Sequence, residues 1–319
     1  GWLGQKKVLR DRVAGTMHVL MFWGFLMLAS DMFDLATANY FSGELLPELV
    51  VGPWNGMVEL GYTMALIGCV SALVRRVAFT PEKLKGKSQL EGNAILLLIF
   101  TITTTSFMIE SKEDPSPFWE PIGYQFSEFG LADRTVVVSY WLHMLAISVF
   151  LFLIPLSKHM HLVMAVPNVF FHDTGPAAKM RPLAMGDDGK AVPLEDLDID
   201  SFGVSSYTQY TWRQLIDGWS CTSCARCQDV CPAYASGKGL NPMQVIHDVR
   251  DYANEHAPLL LSGEAPEETM MQRITEEAVW ACTTCNACVD VCPLYIEHVP
   301  KLTDLRRNAM METMEYPDV

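Results

Sequence analysis

Apolar residues crowd four stretches in the first half of the chain, each long enough to cross a hydrocarbon core of about 30 Å, with polar connectors between them. The stretches run from Val13 to Leu35, from about Met57 to Val74, from about Asn93 to Ile109 and from about Thr135 to Leu156. Four such runs in series predict a transmembrane helical bundle. After residue 166 the pattern changes: Pro167, Gly175-Pro176, Pro182, Gly186, Gly189 and Pro193, with the acidic run Glu195 to Asp200, read as a linker over 167–206. Beyond it, apolar residues recur at helical spacing in short segments. Asn241-Pro242 starts a helix carrying Met243, Ile246, Val249 and Tyr252 on one face, and a second helix is predicted over Glu267 to Ala278. The expected fold is mainly α: a membrane domain in 1–166, the linker, and a soluble α-helical domain in 207–319.

That last domain carries a repeat. Trp219 to Tyr234 recurs 61 residues later as Trp280 to Tyr295, and each copy spells C-x2-C-x2-C-x3-C-P. The copies are Cys221, Cys224, Cys227, Cys231-Pro232 and Cys282, Cys285, Cys288, Cys292-Pro293, taking eight of the nine cysteines. This run holds bacterial [4Fe–4S] clusters through four thiolates, and its fourth cysteine ligates the cluster of the other run. The expected ligand sets are Cys221, Cys224, Cys227 with Cys292, and Cys282, Cys285, Cys288 with Cys231. Zinc ribbons instead use two spaced C-x2-C pairs, and disulfides need an oxidising compartment. A pair of clusters makes a two-cluster ferredoxin-like domain whose base reading is electron transfer.

Charge adds sidedness. The net charge of −14 argues against nucleic acid, which calls for a basic footprint, and suits docking of a basic soluble partner. Arg75, Arg76, Lys83, Lys85 and Lys87 fill the second connector, and Lys158, Lys179 and Arg181 follow the fourth span, whereas the other connectors are acidic. Basic loops stay cytoplasmic, so both ends of the chain are placed there, at the inner membrane. Thiolates reserved for iron ask for the same reducing side. Both ends of the sequence read as cut.

Intramembrane histidines are functional-site candidates because polar groups are costly in lipid. His18 lies near the cytoplasmic end of the first span, and His143, His159 and His161 lie on the fourth span and its extension. On one continuous helix His143 and His161, 18 residues apart, share a face, and His159 points the other way. Antiparallel first and fourth spans bring His18 and His161 to similar depth, and a bis-histidine haem b is the simplest use of that pair. His143 is left as a ligand of a second haem, a quinone-pocket residue or a structural one. Cys69 reads as packing, and Asp31, Asp34 and Glu59 as solvated interfacial acids, with proton exchange with quinone as the sharper alternative.

The segment Arg10-Asp11-Arg12-Val13-Ala14-Gly15-Thr16-Met17-His18, with Phe22-Trp23-Gly24-Phe25, resembles the haem-bearing gamma subunit of respiratory nitrate reductase and its relatives in membrane heterodisulfide reductases. In that family two spans each offer two histidines to two stacked haems. His143 and His161 match the second pair in spacing, and His18 matches the cytoplasmic member of the first. The place of its partner, about ten residues on, holds Leu28, which leaves the inner haem intact and the outer one without that ligand. Fusion of these spans to Ala278-Val279-Trp280-Ala281-Cys282-Thr283-Thr284-Cys285 and Ile296-Glu297-His298-Val299-Pro300 is similar to the membrane iron–sulfur oxidoreductases that link electron-transfer flavoprotein to menaquinone. The resemblance implies two [4Fe–4S] clusters, haem b, menaquinone as substrate and a cytoplasmic flavoprotein donor. It also implies a cysteine-rich CCG-type domain, which the family carries after such a region and which further chain or a separate subunit would supply. The alternative reading is a heterodisulfide-reductase-like or sulfite-reductase-associated membrane subunit passing quinol electrons to a cytoplasmic thiol–disulfide site. A third is a membrane anchor whose ferredoxin domain docks a partner without handling quinone.

Overall fold

Long apolar runs without internal partners for their outer faces become helices, because in lipid every backbone amide must be satisfied within its own segment. A computed structural model of the chain describes residues 3–41, 48–79, 87–175, 182–183, 192–196, 202–314 and 316. No β-strand occurs among them. Lys83, Lys85, Lys179, Arg181, Pro176, Gly186, Gly189 and the stretch Leu197 to Asp200 lie outside the described residues, as do the side chains of Asp31 and Asp34. The chain divides into two compact units, one up to Ser157 and one from Lys158.

The first unit holds α1 (Arg12–Phe41), α2 (Glu48–Ala78), α3 (Lys87–Glu110), the short α4 (Pro121–Glu128) and α5 (Asp133–Leu153). Arg12–Ser30, Val51–Ala78, Gln89–Glu110 and Asp133–Leu153 are long and apolar enough to cross a membrane, matching the four predicted spans. On α5, Val138, Trp141 and Phe152 are about two-thirds exposed (64%, 67% and 68%), which only an apolar solvent would favour. This is a membrane protein. α1 lies tightly on α2: a Cβ on Gly24 would come 2.7 Å from the Gly61 carbonyl oxygen, and one on Gly61 would come 2.8 Å from Met27 Cβ. Small residues allow this approach, which is how helices associate where water supplies no driving force. Phe25 of α1 stacks on Phe150 of α5 at 6.0 Å, beside a core that includes Cys69, whose Sγ donates to the Leu96 carbonyl.

Glu59 departs from the expectation of a solvated acid. It is buried on α2, and its carboxylate accepts the backbone N–H groups of Ile122 and Gly123, both at 2.9 Å. Those are orphan donors of the first turn of α4, whose N-terminal residue is Pro121. Glu59 therefore caps a connector helix, where the partial positive charge of a helix start favours an anion. Glu59→Ala should cost about 1 kcal/mol locally. Amide exchange at Ile122 and Gly123 should quicken about fivefold, whereas a proton-exchange residue would leave those amides unchanged.

The fourth span ends sooner than the apolar pattern implies. Pro155 has no N–H to give to a carbonyl one turn back, so α5 stops at Leu153 after Ile154 N–H reaches Phe150 O at 3.1 Å. A one-turn 3-10 helix, Lys158–Met160, and then a separate helix α6 (His161–Phe170) follow. The boundary between the units thus falls before residue 158 rather than after 166, and α6 packs within the second unit on α7 (Trp212–Ser220). The segment expected to open the linker is anchored too: Asn168 is fully buried, its amide donating to Asp217 at 3.0 Å and to Leu294 O at 2.9 Å.

The second unit continues through α8 (Arg226–Asp229), α9 (Pro232–Ala235), α10 (Pro242–Glu255), α11 (Ala257–Ser262), α12 (Met270–Ile274), α13 (Glu276–Ala281), α14 (Ala287–Val291) and α15 (His298–Asn308). α10 starts as predicted, with Asn241 Oδ1 accepting from Met243 and Gln244 N–H, and it buries Ile246, Val249 and Tyr252. The helix expected over Glu267 to Ala278 is two helices. Thr275 breaks it with φ 75°, and its side chain caps α13 by accepting from Ala278 N–H.

Candidate iron–sulfur site

Each cysteine run is a helix end, a tight loop and a helix start. α7 ends at Cys221 and α13 at Cys282, with nearly identical backbones (φ −67°, ψ 125° and φ −70°, ψ 123°). In the first loop Ser223 and Ala225 take the left-handed conformation at φ 55° and 60°, and in the second Thr284 and Asn286 repeat it at 54° and 58°. Four non-glycine residues in that region cost strain, of order 1 kcal/mol or more each, which the rest of the loop must over-determine. The turn aims an amide at a sulfur: Thr284 N–H lies 3.4 Å from Cys282 Sγ, and the Ser223 amide serves Cys221 in the same way. The fourth cysteines, Cys231 and Cys292, each precede a proline in extended backbone (φ −76° and −69°), which turns the chain away from its own loop.

That turn brings the two runs together. Cys221, Cys224, Cys227 and Cys292 line one cavity with Met243, Leu294, Ile296 and His298. Burial, first, and then the neighbouring Cys221, Cys292 and Cys224 thiols push the Cys227 thiol far up. Cys292 is pushed up to about 12, chiefly by burial, with the Cys224 and Cys221 thiols adding to it against the backbone amides of Ile296 and Leu294. On the other side Cys288 rises to about 12 through burial and then through Cys282, Cys285 and Cys231. Cys292 thus lies with the first three cysteines, and Cys231 lies among the neighbours of Cys288.

Crowded buried thiols resist becoming thiolates unless cationic iron takes the place of their protons, so the donor set fits an iron–sulfur group. Among the described residues no three His, Cys, Asp or Glu side chains converge as a single metal ion requires. Cys221, Cys224, Cys227 and Cys292 line a cavity rather than meet at a point. The second set is the more open: Cys285 is exposed and Cys282 intermediate, whereas Cys221, Cys227 and Cys292 are buried.

Residues outside the cysteine motifs support the loops. Arg306 of α15 donates to the carbonyls of Val279 at 3.0 Å and Cys282 at 2.5 Å, closing the end of α13 where the second loop begins, and its guanidinium lies 5.3 Å from the Trp280 ring centroid. Behind the first cavity, Arg213, Asp217, Glu297 and Lys301 form a buried, charge-balanced group. Arg213 reaches Asp217 at 2.8 Å and Glu297 at 3.4 Å, and Lys301 donates to Asp217. His247 of α10 places Nε2 3.7 Å from Cys221 Sγ and 3.1 Å from Ser223 Oγ. Sequence reasoning took Met243 and Ile246 for the helix face and passed over His247. It stands one turn after Met243, which itself lines the cavity, and that spacing is the signal that would have found it.

The histidines fall as follows. His143 Nδ1 lies 2.9 Å from Thr105 Oγ1 and 3.2 Å from Ile102 O, tying α5 to α3. Because the helix breaks between Leu153 and His161, the shared face expected for His143 and His161 does not exist. His159 and His161 are not opposed either: their ring centroids are 5.9 Å apart. His161 belongs to the second unit and His18 to the first. His161 Nδ1 donates to Lys158 O at 2.8 Å, which turns Nε2 away from that carbonyl, and burial lowers the pKa of the ring.

Four spanning helices joined to a domain with two four-cysteine sets define a membrane-associated iron–sulfur protein of the electron-transfer class. Residues 213–293 match the 4Fe-4S dicluster domain family. Over 98% of its length the chain is 30% identical to the EtfAB:quinone oxidoreductase of Syntrophomonas wolfei, covering 48% of that protein. Over 95% it is 29% identical to a protein of Bacillus subtilis named as a probable iron-sulfur-binding oxidoreductase, FadF, again covering 48%. A shorter match, 37% over 30% of the chain and 24% of the relative, is to one component of the dihydromethanophenazine:CoB–CoM heterodisulfide reductase of Methanosarcina acetivorans. The chain is a relative of these oxidoreductases, and the resemblance to membrane iron–sulfur oxidoreductases noted from its motifs is borne out. It spans about half the length of the first two. No solved structure matches it.

Proposed function

We propose that this chain transfers electrons between a cytoplasmic redox donor, an electron-transfer flavoprotein, and menaquinone in the inner membrane. Its resident groups are two [4Fe–4S] clusters, on Cys221, Cys224, Cys227 and Cys292 and on Cys282, Cys285, Cys288 and Cys231, and haem b on His18 and His161. The observation that carries this reading is the convergence of Cys292 on the cavity of the first three cysteines, in a chain whose other unit is built for lipid. When bound, the clusters and haem supply one-electron transfer. The chain's own part is to fix their ligands, bury the first set, leave the second open to a partner, and offer lipid-soluble quinone an apolar surface. Similarity across nearly the whole chain to a protein named for a quinone favours this over the heterodisulfide reading, which rests on about a third of the chain.

The test is a reduced-minus-oxidised spectrum of the purified full chain, before and after a menaquinol analogue. The expected result is a low-spin b-type band that the analogue reduces. A chain without haem, or a haem the analogue leaves oxidised, rejects the quinone assignment. His18→Ala and His161→Ala should each remove the band and His159→Ala should keep it, while loss in His159→Ala alone would move the ligand by two residues. His143, held to Thr105 and Ile102, is expected to be dispensable for that band.

A further inference from the structure

The two cysteine loops share a backbone but not their surroundings. In the second, Cys282 Sγ receives the Thr284 amide, and, among the described residues, Arg306 hydrogen-bonds only to the carbonyls around it, its charge being felt at the Cys282 sulfur without a side-chain hydrogen bond. In the first, a side chain reaches the sulfur as well. His247 Nε2 is 3.7 Å from Cys221 Sγ, within range for a hydrogen bond to sulfur, and 3.1 Å from Ser223 Oγ. Ser223 is one of the two left-handed residues of that loop, and 61 residues on from His247 stands Asn308, whose amide instead donates to Phe202 O. A thiolate can only accept, so the imidazole must be the donor, and a single Nε2–H is divided between sulfur and hydroxyl.

We propose that His247 is a positioning residue that sets the reduction potential of the group held by Cys221, Cys224, Cys227 and Cys292, making the two clusters unequal. This rests on the cluster assignment made above. Reduction adds one electron to the cluster and no proton to these residues, so the reduced form carries more negative charge on its sulfurs. A hydrogen bond to Cys221 stabilises that form more than the oxidised one and raises the potential. Ser223 competes for the same proton and moderates the effect.

The experiment is an EPR-monitored redox titration of the full chain at one fixed pH, with iron content measured alongside. His247→Ala should move the midpoint of one cluster to more negative potential, lowering its reduced-to-oxidised ratio at fixed potential about tenfold, which is 59 mV for a one-electron couple. The other cluster should not move. His247→Gln, which keeps an N–H donor, should recover part of the shift. Ser223→Ala, which releases the whole N–H to sulfur, should move the same midpoint the opposite way. An unmoved midpoint in His247→Ala, or an equal shift of both clusters, overturns the proposal. Should His247→Ala lose iron, Ser223→Ala decides, and a midpoint that fails to rise there overturns the proposal equally. A wild-type chain without two [4Fe–4S] signals overturns the ligand assignment and the tuning with it, whereas two signals that do not move overturn the tuning alone.

Discussion

Cys292→Ser is expected to remove the cluster of Cys221, Cys224 and Cys227 and to leave the one nearer Cys292 in sequence. Cys292 belongs by sequence to the second run, 71 residues past Cys221, yet it lines the first cavity and its thiol is raised first by burial and then by Cys224 and Cys221. Iron should fall from about eight to about four per chain, since each cubane holds four. The EPR signal that survives should be the one that Cys282→Ser abolishes. Loss of that signal in Cys292→Ser, with the other retained, would show that each run closes its own cluster.

The second large effect is expected at Lys301→Met. Asp217 and Lys301 are both completely buried, and the Asp217 carboxylate takes Lys301, Arg213 and the Asn168 amide together. Burial alone would raise the Asp217 pKa, but the charges of Lys301 and Arg213 outweigh it and hold the carboxyl below its ordinary value. Removing the ammonium leaves a buried anion under-compensated, at a cost of about 3–5 kcal/mol. The guanidinium midpoint for loss of cluster absorbance should drop accordingly, and Lys301→Met with Asp217→Asn should regain part of it. The sign with pH follows from the depressed carboxyl. Its stabilisation is full above the unfolded value near 4 and is lost as pH falls through the lower folded value. Acid denaturation should therefore be shallower in the double variant than in the wild type.

Much of this was legible in the residues. Four apolar runs and two cysteine runs are patterns with fixed periods, and neither needs a distant partner to be recognised. The errors arose where a local signal was overruled or a contact was remote. Pro155 sits inside an apolar run that continues on both sides, so hydropathy carried the fourth span past the break that the missing N–H enforces. Glu59 looked like a surface acid because the amides it caps lie more than 60 residues away. Thr275 split an expected helix by adopting φ 75°, which no propensity assigns to threonine. His247 touches a cysteine 26 positions before it, a contact without a periodic signature.

The crossing of the cysteine runs also orders events during synthesis. As the chain leaves the ribosome, Cys221, Cys224 and Cys227 emerge well before Cys292, and Cys231 emerges ahead of the three thiols it joins. The set with Cys231 cannot be complete until residue 288 has been added, nor the set of the first loop until residue 292, and both need the two loops to have met. A nascent chain therefore carries a three-thiol half-site through the translation of α10 to α14, with the reactive sulfurs open to oxidants and stray metals. Iron–sulfur loading becomes an event that follows translation of this domain, and the four membrane helices, made earlier, can already be in the bilayer when it happens.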